Sequence, residues 1–310
     1  MTEIFPIIAC CFIAFGIGSN DTSNALSICI GCGIINFKKA IFWFGCFVLI
    51  GILLQGQKVM KTVGRDILEI NFFILTVSLF VSAFLIVIFN WKKLPLSTHQ
   101  VIIGSLVGSG VAFDIDVNFF SFLKIAISWV ISPLGAFLLA MILYRIMEKT
   151  LSKLPLFYIE RVLKILLLIS SLLIAYNTGA NELATVLGGI VYIDLIKKIQ
   201  ASLLGSFFVL LGAFFLSHRV IETVGKKITA LDPYSGFAAQ FGAGSCLLLF
   251  TSFGMPISTT YCIIGGITGV GILKGIETVK IELIKKIILS LILTPILAFL
   301  ICFLIIKILR

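Results

Sequence analysis

Hydrophobic residues form long runs along this chain, and short polar segments separate them. The first half has runs at about 4–35, 39–56, 72–91, 95–113 and 119–147, and the second half at about 160–195, 198–217, 234–254, 256–273 and 282–309. A helix needs roughly 20 apolar residues to cross the hydrocarbon core of a bilayer. The pattern therefore predicts an all-α membrane protein of about 10–12 helical segments, with five runs in each half.

Three polar motifs occur twice in the chain with the same spacing of 161 residues. Pro95-Leu96-Ser97-Thr98 returns as Pro256-Ile257-Ser258-Thr259, Thr62-Val63-Gly64 as Thr223-Val224-Gly225, and Gly18-Ser19-Asn20-Asp21 as Gly179-Ala180-Asn181-Glu182. A shared offset in three separated motifs indicates a duplicated unit. We predict a first membrane repeat at 1–147, a cytoplasmic linker at 148–158 and a second, inverted membrane repeat at 159–310.

The composition excludes a soluble domain, and the positions of the basic residues explain the net positive charge. Hydrophobic residues make up 60% and charged residues 12%, with a mean hydropathy of +1.19. A soluble domain of this length could not cover so much apolar surface. The net charge of +10 would suggest nucleic acid as a partner in a soluble protein. Here the basic residues lie between apolar runs, where the lipid bilayer is the partner and positive charge marks the cytoplasmic side.

The distribution of charge predicts the topology. If the connections between runs alternate between two sides, 16 of the 24 basic residues fall on one side. That side is expected to be cytoplasmic, which places both termini of this multi-pass protein outside the cytoplasm in the cell membrane. An odd number of crossings per half makes the halves opposite in orientation. This inverted repeat is typical of secondary transporters.

The first long run of each half contains a polar interruption. In the first half it spans residues 18–24, and in the second it spans residues 177–182. Gly16 and Gly18 are expected to loosen the helix and free backbone groups. Each interruption could be a broken span or a re-entrant hairpin, and the sequence leaves this choice open.

These interruptions carry the candidate cation site. A carboxylate such as Asp21 is costly at membrane depth unless it is paired, protonated or bound to a cation. Amide and hydroxyl oxygens surround it, and Glu182 occupies the equivalent position in the second copy. The coupling-cation candidates are Asn20, Asp21, Asn24, Asn181 and Glu182, with Thr22 and Thr178 as accessory residues. An alkali cation or a proton fits this set, with Asp21 and Glu182 as the ligands if the ion is a metal. The less specific interpretation is that these groups join helices.

The Pro-x-Ser-Thr motifs carry the candidate anion site. Proline favours the first turn of a helix, where backbone amides are free, and the adjacent hydroxyls add donors at the positive end of the helix dipole. The anion candidates are Ser97, Thr98, Ser258, Thr259 and Thr260. His99 could donate to the anion, or it could simply lie at the membrane interface. A single copy would favour plain helix capping, whereas two symmetric copies favour anion binding.

An anion bound next to two carboxylates needs compensating charge, so the two sites together predict cation-coupled symport. No cofactor is expected beyond the coupling ion, Na+ or H+. An enzyme would need a nucleophile with a base or a metal cluster, and Ser97 with His99 is the only candidate for such a pair. A passive anion channel is a further alternative.

These motifs resemble those of the inorganic phosphate transporter (PiT) family, which includes phosphate symporters and some sulfate permeases. The family elements G-A-N-D-V-A-N-A and P-V-S-T-T-H correspond here to G-S-N-D-T-S-N-A and P-L-S-T-H-Q in the first half. Their copies in the second half read G-A-N-E-L-A-T-V and P-I-S-T-T-Y. The resemblance implies an inverted-repeat transporter, a transport domain moving against a scaffold, and a homodimer.

Carried over by position, the resemblance implies that coupling cations bind to Asn20, Asp21, Asn181 and Glu182. It implies that the anion binds to Ser97, Thr98, Ser258, Thr259 and Thr260. Three departures matter. Glu182 replaces an aspartate, Thr185 replaces an asparagine, and Tyr261 stands where a histidine is usual. They leave open whether Na+ or H+ couples transport. They also leave open whether the anion is phosphate, which we expect, or sulfate, the alternative.

Overall fold

The computed structural model describes residues 4–91, 96–151, 155–228, 232–275, 277 and 281–309. Within these ranges the chain forms eleven α-helices. They are α1 Ile4–Gly31, α2 Phe37–Lys61, α3 Phe72–Trp91, α4 Thr98–Ala112, α5 Phe119–Leu151, α6 Leu156–Asn177, α7 Ala184–Tyr192, α8 Lys198–Ile228, α9 Pro233–Ser252, α10 Thr259–Lys274 and α11 Ile281–Leu309. A π-helical turn at Thr62–Asp66 extends α2, and another at Thr178–Leu183 joins α6 to α7.

Six of the described helices are long and apolar enough to cross a membrane. They are α1, α2 with its π-helical turn, and most of α3, α5, α8 and α11. Large apolar side chains lie exposed along them, for example Phe12, Leu54 and Leu138. An apolar surface this extensive fits a lipid environment. The protein is a multi-pass membrane protein.

The helices repeat as the motifs predicted. Helices α2, α3 and α4 begin 161 residues before α8, α9 and α10 respectively. The continuous segment α6–α7 corresponds to α1, and α11 corresponds to α5. Each half therefore contains the same five elements in the same order, which confirms the duplication.

The third and fourth elements of each half form an antiparallel hairpin. In the first hairpin, α3–α4, the chain leaves close to where it entered, because the Asn118 amide donates to the Ile67 carbonyl at 2.8 Å. In the second hairpin, α9–α10, the Lys274 ammonium pairs with the Asp232 carboxylate across the same two ends. A hairpin that returns to its starting side leaves an odd number of crossings in each half. The two halves are therefore an inverted repeat.

Paired glycines bring the two repeats into backbone contact. A Cβ atom on Gly18 of α1 would lie 1.9 Å from the Val209 carbonyl oxygen of α8. The equivalent Cβ atom on Gly179 would lie 1.8 Å from the Val48 carbonyl oxygen of α2. Only glycine allows backbones to approach this closely. The contacts interlock α1, α2, α6–α7 and α8 into a core that draws on both repeats.

Each hairpin packs against the last helix of the other repeat. A Cβ atom on Gly104 of α4 would lie 2.5 Å from the Pro295 carbonyl oxygen of α11, and one on Gly265 of α10 would lie 2.3 Å from the Pro133 carbonyl oxygen of α5. The groups α3–α4–α11 and α9–α10–α5 thus flank the four-element core on two sides. This exchange of helices brings the tips of both hairpins to the core.

Helix α1 corrects one prediction from the sequence. It runs without interruption from Ile4 to Gly31, so Gly16 and Gly18 do not break it. Gly18 instead provides the close approach to α8. The second interruption is a π-helical turn within a continuous helical segment and not a hairpin. Lys92 and Lys93, two of the 16 basic residues that the charge count places on the cytoplasmic side, lie outside the described residues. The repeat boundaries stay a prediction.

Candidate functional site

The tip of the second hairpin contacts the Glu182 carboxylate. Ser258 caps α10, and its hydroxyl accepts the Tyr261 amide at 3.4 Å. The Thr259 amide, the first of the helix, donates to Glu182 Oε1 at 3.2 Å. The positive end of α10 therefore faces a buried carboxylate, and one amide of the predicted anion cradle already binds a protein acceptor.

The tip of the first hairpin contacts the same carboxylate. Ser97, the N-cap of α4, has extended backbone geometry and is buried. His99 in the first turn lies with its Nδ1 atom 3.3 Å from Glu182 Oε2. His99 is fully buried, so the interfacial interpretation of this residue is wrong. Glu182 is thus the point at which both hairpins and the core meet.

Helix α1 contributes its carboxylate next to the same tip. The Asn24 side-chain amide donates to Asp21 Oδ1 at 3.0 Å and to the Thr260 hydroxyl at 3.2 Å. Thr259 and Thr260 are consecutive residues, and they contact Glu182 and the Asp21–Asn24 pair respectively. The structure therefore brings the two carboxylates predicted from the repeat to one hairpin tip.

Two hydroxyls at the hairpin tips have hydrogen-bonding capacity left over. Ser97 Oγ and Thr259 Oγ1 are buried and contact no hydrogen-bond partner within the described residues. A buried hydroxyl without a partner costs about 1–3 kcal/mol. Such atoms in a native protein call for an explanation, and a bound ligand is one. Thr98, the first residue of α4, is half-buried.

Asn181 holds the loop that leads into α10. Its Nδ2 atom donates to the Thr251 hydroxyl at 2.7 Å and to the Met255 carbonyl at 2.9 Å, and its Oδ1 atom accepts the Ile257 amide at 3.1 Å. The side chain lies in the π-helical turn, a distortion that occurs frequently at functional sites. These contacts position the loop, while the cation role of Asn181 stays a prediction.

The remaining predicted residues lie on the same two segments. The Thr22 hydroxyl donates to the Gly18 carbonyl at 2.5 Å, and the Thr178 hydroxyl donates to the Ile174 carbonyl at 3.0 Å. Both hydroxyls are therefore engaged by their own helices. The Asn20 side chain is half-buried.

Sequence reasoning missed Gln240 on α9. Its Nε2 atom donates to the carbonyls of Asn24 at 3.0 Å and Ala25 at 2.7 Å, and its Oε1 atom accepts the Ser170 hydroxyl at 2.8 Å. No repeated motif contains this residue. The available signal was a lone glutamine inside an apolar run, which at membrane depth needs partners.

The electrostatics of the site are unusual for a buried location. Asp21 and Glu182 are 7% and 4% exposed, and neither contacts a lysine or arginine within the described residues. Those residues also contain no cluster of three His, Cys, Asp or Glu side chains able to hold a metal ion. Any cation here would therefore be coordinated by carboxylate, amide and backbone oxygens, as hard cations prefer.

Hairpin tips from an inverted repeat that meet at buried polar groups define the class of secondary membrane transporters. Comparison with known proteins agrees with that class. The family model described as the phosphate transporter family matches residues 17–159 and again residues 156–302. The chain belongs to the phosphate transporter family.

Similar proteins include named permeases and one solved structure. A Methanocaldococcus jannaschii protein provisionally named a phosphate permease is 36% identical over 95% of this chain and 93% of its own length. Sulfate permease CysP of Bacillus subtilis is 31% identical over 88% of this chain and 78% of its own length. A solved structure titled the sodium-dependent phosphate transporter superposes with a TM-score of 0.87 at 25% identity, covering 99% of this chain and 98% of that one.

Proposed function

We propose that this protein moves inorganic phosphate across the membrane by symport with sodium, using alternating access. The observation that carries the proposal is the position of Thr259 and Thr260. These two residues at the tip of α10 contact Glu182 on one side and the Asp21–Asn24 pair on the other. Hydroxyl donors and two acidic groups thus share one buried site.

The anion is held by the hairpin tips in this proposal. Ser97 Oγ and Thr259 Oγ1 are the buried hydroxyls available to donate to phosphate oxygens. The first turns of α4 and α10 add the positive ends of two helix dipoles. Phosphate bound in this way carries its charge into a region of low dielectric, where it requires a counter-charge.

The coupling cations supply that counter-charge. Two unit charges of opposite sign at 4 Å attract by about 4 kcal/mol at an effective dielectric constant of 20. A sodium ion at Asp21 or Glu182 therefore stabilises bound phosphate, and phosphate stabilises the bound ion. This reciprocal coupling is what symport requires. The similar solved structure is that of a sodium-dependent phosphate transporter, which supports sodium over the proton.

Uptake of labelled phosphate into proteoliposomes tests the proposal. An inward sodium gradient is expected to drive accumulation, whereas an inward proton gradient without sodium is not. Accumulation driven by the proton gradient alone would replace sodium with the proton as coupling ion. Uptake that ignores both gradients would refute symport, and currents of single-channel size would indicate a passive pore.

Sulfate is the second candidate substrate because a sulfate permease is among the similar proteins. Hydrogen phosphate keeps a donor proton at neutral pH, and sulfate has none. A carboxylate such as Asp21 or Glu182 beside the anion can accept a hydrogen bond from that P–OH group, which favours phosphate. Excess unlabelled phosphate should therefore suppress uptake of labelled phosphate, and excess sulfate should not. Equal suppression by sulfate would remove the preference.

A further inference from the structure

The two hairpins differ in how they are bonded to the core. The second hairpin is tied to α1 through Asn24 and Gln240 and to α6 and its π-helical turn through Asn177, Asn181 and Glu182. Among the described side chains of the first hairpin, His99 alone makes comparable polar contacts with the core, where it meets Glu182 and Asn181. The two hairpins therefore pack in similar positions, but the second makes more hydrogen bonds with the core than the first.

Helix α2 adds to the ties on the second hairpin. Gln55 donates to the Ser252 hydroxyl at 2.8 Å and accepts the Tyr176 hydroxyl at 3.0 Å. The Lys58 ammonium donates to the Ser252 carbonyl at 2.8 Å. The end of α9 is thus joined to α2, and through Gln55 to α6 as well.

The sequence itself encodes the difference. Four of the residues that bond the second hairpin have counterparts 161 positions away in the other repeat that cannot make the same bonds. Gln240 corresponds to Leu79, Ser170 to Ala9, Asn177 to Gly16 and Gln55 to Leu216. Leu79 is buried. The first hairpin therefore meets the core with apolar surface at the position where the second hairpin places Gln240.

We propose that Gln240 is a positioning residue that joins the second hairpin, α1 and α6 into one rigid unit, so that the first hairpin is the part that moves during transport. This inference rests on the proposed function, since it concerns how the site opens. Gln240 bonds the carbonyl of Asn24, whose side chain contacts Asp21 and Thr260. It thereby fixes the cation-binding segment relative to the tip of α10.

The physical basis is the difference between directed and undirected contacts. Buried hydrogen-bond networks that are fully satisfied hold one geometry, because every displacement leaves polar groups without partners. Apolar side chains exchange neighbours with less penalty, which is why packed helices can slide in shear motions. In this proposal two polar ties break when the first hairpin moves: the contact of His99 with Glu182, and the hydrogen bond that the Tyr261 hydroxyl of α10 donates to Gln100 Oε1 of α4 at 3.4 Å.

Hydrogen–deuterium exchange on the wild-type protein in lipid nanodiscs tests the assignment. Amide exchange is compared in sodium phosphate and in choline chloride without phosphate. We expect ligand-dependent change along the length of α3 and α4, whereas in α9 and α10 it should be confined to the first turn of α10, where the proposed phosphate site lies. Equal changes in both hairpins, or a larger change in α9–α10, would overturn the inference. The absence of sodium-dependent uptake would instead count against the proposed function, so the two failures are distinguishable.

A substitution tests the role of Gln240 directly. Gln240→Met keeps the length of the side chain and removes its hydrogen bonds. We expect the sodium concentration for half-maximal uptake to rise about five- to tenfold, as for the loss of one to two hydrogen bonds. Exchange is expected to become ligand-dependent along the whole of α9–α10 and not only in the first turn of α10. A purely structural role would lower the amount of folded transporter and leave the sodium dependence unchanged, which would refute positioning.

Leu79→Met provides the matched control at the equivalent position of the first hairpin. It changes a buried side chain by a similar amount without touching a polar contact, and such swaps are usually tolerated. The sodium dependence and the exchange pattern are expected to match those of the wild type. A shift as large as that of Gln240→Met would show that repacking alone explains the effect.

Discussion

At the scale of single residues, the carboxylates of Asp21 and Glu182 are the groups on which the proposed coupling depends. Both are buried. The Thr259 amide of α10 donates to Glu182, and the Asn24 side chain joins Asp21 to the next residue of α10, Thr260. Their amide analogues keep an oxygen that accepts the same hydrogen bonds. Charge can therefore be removed from the site with little change of shape.

We expect Asp21→Asn and Glu182→Gln each to abolish sodium-driven phosphate accumulation while leaving the amount of folded protein near that of the wild type. The amide can still accept the Thr259 N–H, but it no longer balances a bound cation. Labelled uptake in proteoliposomes measures the first effect, and size-exclusion chromatography measures the second. The control is Glu160→Gln on the exposed end of α6, which should transport normally. Wild-type accumulation by either site variant would contradict the proposal.

The free hydroxyls allow a second prediction. Thr259→Ala and Ser97→Ala remove donors proposed to bind phosphate, and hydrogen bonds to charged groups contribute about 1.5–3 kcal/mol. We expect the KM for phosphate to rise about tenfold or more. The control is Thr268→Ala in the same helix, because the Thr268 hydroxyl bonds the Ile264 carbonyl. An unchanged KM in both site variants would place the anion elsewhere.

Much of the site was predictable because its residues are polar side chains repeated in an apolar background. The pairing of Asp21 with Glu182 follows from the 161-residue offset alone. Gln240 was not predictable, because its counterpart is Leu79 and its partners lie on α1 and α6. The burial of His99 depends likewise on packing between the repeats, which local sequence does not contain.

At the scale of helices, the close backbone contacts determine which positions tolerate a side chain. The sequence correctly predicted the helices and their order, since the apolar runs are long. It wrongly predicted that Gly18 would loosen α1, because the purpose of that glycine is visible only when α8 is beside it. A glycine within a helix can serve flexibility or close packing, and the partner decides between them.

Gly18→Ala is therefore expected to destabilise the protein. The added Cβ would meet the Val209 carbonyl, a backbone atom that cannot rotate away. Overpacking typically costs about 1–3 kcal/mol, more than the roughly 0.5–1 kcal/mol that alanine gains over glycine in a helix. Thermal unfolding in detergent should show a lower Tm. The control is Gly31→Ala at the end of α1, where a Cβ meets nothing within 4 Å. Equal Tm values for both variants would contradict the packing argument.

At the scale of the whole molecule, the orientation in the membrane is still a prediction from charge. Lys38 and Lys39 lie in the first turn of α2, directly after its connection to α1, and this end of the two helices is expected to be cytoplasmic. Cys32 lies exposed in this connection and is a natural reporter. Partial burial raises the pKa of its thiol, which lowers the thiolate fraction at neutral pH. Labelling should therefore be done at mildly alkaline pH.

We expect a membrane-impermeant maleimide to label Cys32 only after the cells are permeabilised. Mass spectrometry of the labelled peptide identifies the site, and Cys32→Ser provides the control for reaction at other thiols. Labelling in intact cells would reverse the predicted orientation, with both termini then inside the cell. The inverted repeat itself would be unaffected by that result, because it depends on the number of crossings per half and not on their direction.

The exchange of helices between the repeats has a consequence for biosynthesis. Helix α4 packs on α11, and Gly18 of α1 packs on the backbone of α8. Because α8 and α11 lie later in the chain, the first repeat leaves the ribosome before either partner has been synthesised. Until then, its glycine surfaces must face lipid or an insertion factor. The first hairpin can therefore pack in its final position only after α11 has been synthesised. A nascent chain arrested ahead of Ile281 would contain that hairpin without α11.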